Sequence, residues 1–192
     1  VQSGNQPIFS KNKSLIIVFN GEIYNYKSLK NDLVKKFNLK FKTLSDTEVV
    51  LKLYEKYGTD SFGMLDGMFA FSIIDKKNNK IFIARDFFGE KPLYYTKNNS
   101  SILWSSELKS IVDVKQKNLK ISKKALSIYF QLTYIPSPYS IYEDIFKLEP
   151  NSFMEIDLSS LNFSINSIKD ETDKKSYSKI DFKSAKYINH DL

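Results

Sequence analysis

Apolar and polar positions change period several times along the chain, and each change marks an element. Ser14 to Phe19 is an apolar run rich in Ile and Val, the pattern of a buried strand, and it leads directly into Asn20-Gly21. From Asn25 the spacing turns helical: Leu29, Leu33, Val34 and Phe37 share one face, which predicts a helix over Tyr26 to Phe37 with Asn25 as its N-cap. Ser45-Asp46-Thr47-Glu48 has the form of a capping box, with an apolar stripe of Val49, Val50, Leu53, Tyr54 and Tyr57 behind it and Gly58 as the stop. Met68 to Asp75 and Lys80 to Asp86 read as strands of a hairpin turned by Lys76-Lys77-Asn78-Asn79. Leu93 to Thr96 and Ile102 to Ser105 repeat that design around Lys97-Asn98-Asn99-Ser100, so the two hairpins predict an antiparallel sheet.

Beyond Glu107 the pattern thins. Asp113 to Lys120 is charged and linker-like, followed by a helix from Lys123 to Leu132 capped by Ser122. A boundary is expected there, dividing the chain into residues 1–112 and 113–192. Ile135-Pro136-Ser137-Pro138 is extended, because each proline pushes its predecessor out of the α region. Phe153 to Leu158 and Leu161 to Ile165 predict a last hairpin around Ser159-Ser160, and from Ile168 the chain is polar with little to pack. The opening segment, Val1 to Ser10, carries no Met and reads as the interior of a longer chain.

Composition narrows the chemistry. With 192 residues, 42% hydrophobic, and only 6 Gly and 5 Pro, the chain has the profile of a globular protein, and no apolar run has membrane-spanning length. A cytoplasmic product is expected. Cysteine is absent, which excludes disulfides, thiolate metal sites and a cysteine nucleophile within these residues, and the single histidine, His190, reads as a solvated tail residue. The net charge of +7 raises a nucleic-acid partner, but Arg85 is the only arginine among 29 basic residues and the lysines are scattered. Without the planar guanidinium fork, the charge reads as compositional bias, and no nucleic-acid partner is expected.

Asn20-Gly21-Glu22-Ile23-Tyr24-Asn25 sits where a strand hands over to a helix. The Gly21 N–H and the Asn20 carboxamide could form a two-donor oxyanion hole, and Glu22 could accept from an ammonium or amide group; a plain Asn-Gly turn explains the same residues. Asp46 fits either a ligand contact or a simple complement to a helix N-terminus. Arg85, beside Asp86, suggests a bidentate structural pair or an interface contact, ahead of a substrate contact.

Taken jointly, Asn20 to Asn25, Ser45-Asp46-Thr47-Glu48-Val49, Leu65-Asp66-Gly67-Met68-Phe69-Ala70-Phe71, Arg85 to Tyr95 and Ser105 to Ile111 strongly resemble the glutamine-hydrolysing asparagine synthetases, in order and approximate spacing over residues 4 to 158. The first two motifs are shared in looser form by other class II glutamine amidotransferases. The resemblance implies an α+β fold, the αββα sandwich of the N-terminal-nucleophile hydrolases, incomplete here, followed by the entry to a synthetase domain. In that family an N-terminal cysteine attacks the glutamine amide, and the ammonia released travels to a second domain where ATP activates aspartate. Carried over by position, Asn20 and Gly21 are the oxyanion donors, and Asn20, Gly21, Glu22 and Asp46 contact the glutamine.

The sequence departs from that pattern at both ends. The cysteine and the arginine-bearing segment that holds the substrate carboxylate are missing, and no Ser-Gly-Gly pyrophosphate loop appears before Leu192. The resemblance therefore implies L-glutamine as a partner of this chain, with L-aspartate, ATP and Mg engaged only through a domain it lacks. No cofactor or metal is expected to bind these residues, and a homodimer is left open. The alternative is a non-catalytic protein of the same fold that binds glutamine or docks onto a synthetase.

Overall fold

A computed structural model describes residues 5–115 and 119–169. Nine strands form two antiparallel sheets. The larger has six strands: β1 (Ile8–Phe9), β2 (Leu15–Ile23), β3 (Gly67–Asp75), β4 (Lys80–Arg85), β8 (Ser152–Asp157) and β9 (Phe163–Ser167), in that spatial order. The smaller places β5 (Tyr94–Lys97) between β6 (Ile102–Ser105) and β7 (Phe146–Lys147). All three expected hairpins are present, with Asp75 opposite Lys80, Lys97 opposite Ile102 and Ile156 opposite Phe163. The first two do not share a sheet, however. The segment joining β4 to β5 crosses to a second layer, which local turn chemistry cannot specify.

Alternation along the strands builds two cores. Leu15, Ile17, Phe19 and Ile23 of β2 face the helices α1 (Tyr26–Phe37) and α2 (Asp46–Tyr57), where Leu29, Leu33, Val49, Val50 and Leu53 are buried. Phe62 centres this layer, with ring centroids 5.2 Å from Phe71 and 5.4 Å from Phe153, and it is delivered by a 3-10 segment, Gly58–Met64, that the apolar pattern did not announce. The opposite parity of the sheet, Ile81, Ile83, Met154 and Ile156, packs with Tyr95, Ile102 and Trp104 of the smaller sheet. Helix α3 (Leu108–Lys115) covers that sheet's outer side, where the Lys115 amine reaches the buried Thr96 hydroxyl at 3.3 Å. The layers therefore run helix, sheet, sheet, helix.

Several expectations need correction. Residues 113–115 belong to α3, so the linker does not begin at Asp113, and β7, β8 and β9 complete both sheets. A division at 112 would cut through one packed unit, because β4 takes β8 as its partner along its whole length. Val34 and Phe37 stay largely exposed, so the buried face of α1 is narrower than its apolar stripe. Asn25 does not cap α1 with its side chain; the carboxamide instead ties down the approach to β3, donating to Met64 O at 3.0 Å and accepting from Asp66 N at 3.1 Å. Ser45 caps α2 by accepting from Thr47 N at 3.2 Å, but Glu48 does not close the box, since its carboxylate accepts from Lys42 N, Thr43 N and the Thr43 hydroxyl. Helix α4 (Lys123–Leu132) is capped by Ser122 as expected, through Ala125 N at 3.2 Å. Ile168 packs against the helix-side core, and residues 170–192 of the polar C-terminal stretch, with His190, lie outside the described residues. Among the described residues no helix is long and apolar enough to cross a membrane.

Candidate functional site

Asn20, Gly21 and Glu22 lie at the C-terminal end of β2, and Asp46 of α2 reaches that strand end through Ile23. Parity along a strand sends the N–H of every second residue to the same edge. Phe19 N–H and C=O face the outer edge of β2, away from β3, because both bond the Gln6 carboxamide, at 2.5 and 2.7 Å. Ile23 N–H faces that edge too, donating to Asp46 Oδ2 at 3.0 Å. Gly21 lies between them, so its N–H is aimed at the same edge, in the interval bracketed by the Gln6 and Asp46 side chains.

The backbone at Gly21 requires glycine. Its φ is +149°, and a Cβ there would stand 2.0 Å from the Met68 carbonyl oxygen on β3. Gly67, diagonally across the ladder with φ +157°, would place a Cβ 2.2 Å from the Glu22 carbonyl oxygen. Two glycines facing each other's backbone thus let β2 and β3 close tightly where the candidate residues emerge. This is more than an Asn-Gly turn, since residues 20 and 21 are within the ladder, paired with Ala70 and Phe69.

Asp46 fits the helix-start idea raised for it and also reaches the strand. As the first residue of α2, it uses Oδ1 to accept from Thr47 N at 2.8 Å, completing the helix start, and turns Oδ2 to the strand. Glu22, on the opposite strand parity, is exposed and makes no side-chain hydrogen bond or ion pair among the described residues. The Asn20 carboxamide is also exposed and donates to the Ser106 hydroxyl at 3.1 Å, joining β2 to the end of β6 across a cleft of about 300 Å³ that Val18, Ser72 and Trp104 also line. Desolvation and the charges of Glu90, Glu22, Asp66 and Asp86 push the Tyr24 phenol up.

Arg85 and Asp86 do not form the expected bidentate pair. Arg85 donates to main-chain oxygens, Nε to Lys91 at 2.8 Å, Nη1 to Leu148 at 2.5 Å and Nη2 to Gly89 at 2.6 Å, with Nη1 also reaching the Ser137 hydroxyl at 3.2 Å. Asp86 accepts from the N–H groups of Phe69, Phe88, Glu90 and Lys91 at 2.9–3.2 Å. The two side chains organise one loop from opposite chemical sides, arginine through its carbonyls and aspartate through its amides. Sequence reading missed Gln6 and Ser106 as parts of the corner; Gln6 stands in the opening segment and Ser106 inside a quoted motif, yet their partners lie 13 and 86 positions away. Among the described residues no three acidic or histidine side chains gather as a metal set would.

Residues 1–165 match the glutamine amidotransferase domain family. The chain belongs to that family. It is 51% identical over 146 residues to "Putative asparagine synthetase (glutamine-hydrolyzing) 2" of Methanocaldococcus jannaschii, covering 75% of this chain and 28% of that protein. It is 41% identical over 152 residues to "Asparagine synthetase (glutamine-hydrolyzing) 1" of Bacillus subtilis, covering 79% and 24%. The chain thus spans about a quarter of the length of these curated relatives. In structure it resembles the glutamine phosphoribosylpyrophosphate amidotransferase of B. subtilis, with a TM-score of 0.61 at 22% identity over 85% of this chain and 32% of the other. The fold is therefore the α+β amidotransferase fold of the N-terminal-nucleophile hydrolases, as the motif resemblance implied.

Proposed function

We propose that this chain is the glutamine-binding part of a glutamine-dependent asparagine synthase of the cytoplasm, which takes ammonia from the glutamine side chain for ATP-dependent amidation of aspartate. The observation that carries the reading is the Asp46–Ile23 hydrogen bond, which draws the α2 carboxylate against the strand end bearing Asn20, Gly21 and Glu22. In this reading Glu22 and Asp46 hold the α-ammonium of glutamine. The Gly21 N–H and the Asn20 Nδ2 donate to the amide oxygen, where negative charge develops during attack. Ser106 occupies one donor direction of Asn20 and leaves the other for the ligand. Aspartate, ATP and Mg are engaged outside these residues, and a homodimer stays open.

The attacking thiol belongs elsewhere as well, since these 192 residues contain no cysteine. An oxyanion hole with no nucleophile gives binding and no turnover. Calorimetric titration of the chain with L-glutamine, D-glutamine and L-asparagine, together with an ammonia assay, tests this. L-Glutamine is expected to bind in roughly the millimolar range, more tightly than the other two, with loss of binding in Asp46→Ala and no ammonia above background. Equal binding of the three, or saturable ammonia release abolished by Asn20→Ala, would overturn the reading.

A further inference from the structure

On the far side of the Arg85 loop lies an open cleft of about 630 Å³ between the 88–94 segment and the 134–137 segment. Its walls are largely apolar and aromatic, with Phe88, Tyr94, Tyr134 and Pro136 among them, and its charged groups are Arg85 and Lys147 alone. No acidic side chain lines it, and neither cation enters an ion pair among the described residues. The Arg85 hydrogen bonds go to neutral oxygens, and the Lys147 amine donates to the Ile135 carbonyl. Burial and the Arg85 charge both push the Lys147 amine below its ordinary value, the mark of two like charges held together without a counter-ion. Asp86 offsets Arg85 in part, but its own oxygens are turned to main-chain N–H groups.

Apolar side chains are also exposed in and next to the cleft. Phe88 is 65% exposed and Tyr134 59%, and Tyr134 follows α4, which buries only Ala125 and leaves Leu126, Tyr129 and Phe130 exposed. Such a combination is costly in water and marks a contact surface. We infer that this cleft is a docking site for a polypeptide surface that presents a carboxylate between apolar side chains. The carboxylate supplies the missing counter-charge for Lys147 and Arg85, and its apolar neighbours cover Tyr134 and Phe88. An open cleft cannot enclose most of a small solute, which favours a protein surface as the occupant.

The test is a titration of the 15N-labelled chain with acetyl-Leu-Glu-Phe-amide, with acetyl-Leu-Gln-Phe-amide and sodium acetate as the comparison probes. The Glu peptide is expected to shift the amides of Gly89, Tyr94, Tyr134 and Lys147 and to bind about five-fold tighter than the Gln peptide, with a difference that shrinks as salt is added. Lys147→Met removes that difference and Lys147→Arg keeps it, so loss of charge is separated from loss of fold. Equal affinity for the two peptides, a difference that survives Lys147→Met, no shifts at the cleft, or acetate matching the Glu peptide at equal concentration would each overturn the docking site.

Discussion

The C-terminal ends of β2 and β4 both flank the start of β3, and at each an aspartate accepts a main-chain N–H, Asp46 from Ile23 and Asp86 from Phe69. Their surroundings differ. Asp86 is fully buried, and four N–H groups converge on its two oxygens, while Arg85 collects the carbonyls of the same loop. At the Asp46 corner the neighbouring Glu22 and Asn20 are exposed, and the Gly21 N–H is turned outward. A carboxylate saturated by its own backbone fixes a loop. One that fixes a strand end and leaves its neighbours' polar groups pointing outward prepares a site.

The largest expected effect falls on the saturated corner. Asp86→Ala strands buried N–H donors and should cost about 4 kcal/mol in chemical denaturation. Gly21→Ala follows at about 3 kcal/mol, because its Cβ would enter the Met68 carbonyl. Asp46→Ala gives up one helix-start bond and one strand bond and should cost only about 1 kcal/mol, while removing glutamine binding altogether. If Asp46→Ala proved as destabilising as Asp86→Ala, the distinction between the corners would vanish.

An expected response to acid comes from two carboxylates outside these corners. Burial alone would raise the Glu48 and Asp75 carboxyls. For Glu48 the bonds from Lys42 and Thr43 outweigh it, and for Asp75 those from Asn78 and Tyr54 do, so both sit below the usual carboxylate range. The unfolded chain then binds these protons first. Their contribution is complete above the ordinary carboxylate range, about pH 4, and is lost as the pH falls through the lowered folded values. Denaturation midpoints between neutral pH and about pH 2 should show this fall, and Thr43→Val should blunt it. The smallest effect is that of Asn20→Ala, within about 0.5 kcal/mol of the parent because the side chain is exposed, so any weakening of glutamine binding in it reports the site directly.

Local chemistry made much of this fold legible. The hairpins follow from Asn and Ser turns, as at Asn98, whose carboxamide oxygen accepts from the N–H groups of Ser100 and Ser101. The helices follow from period and from the Ser45 and Ser122 caps. What pattern could not reach is pairing between distant segments, such as β4 with β8, which erases the boundary expected at 112, or the Gln6 carboxamide standing in for a strand beside Phe19. At the candidate site the residue types were readable from Asn20 to Glu22 and at Asp46. The approach of Asp46 to the end of β2 was not, because it rests on one hydrogen bond between positions 23 and 46.

The account is tested most directly by amide-resolved NMR of the chain during addition of L-glutamine. It predicts that the Gly21 and Ile23 amides and the Asn20 side-chain NH2 shift together and saturate, while Phe69, Glu90 and Lys91, held by Asp86, stay in place. Shifts centred on the Asp86 loop, or a Gly21 amide that never moves as glutamine is added, would contradict it.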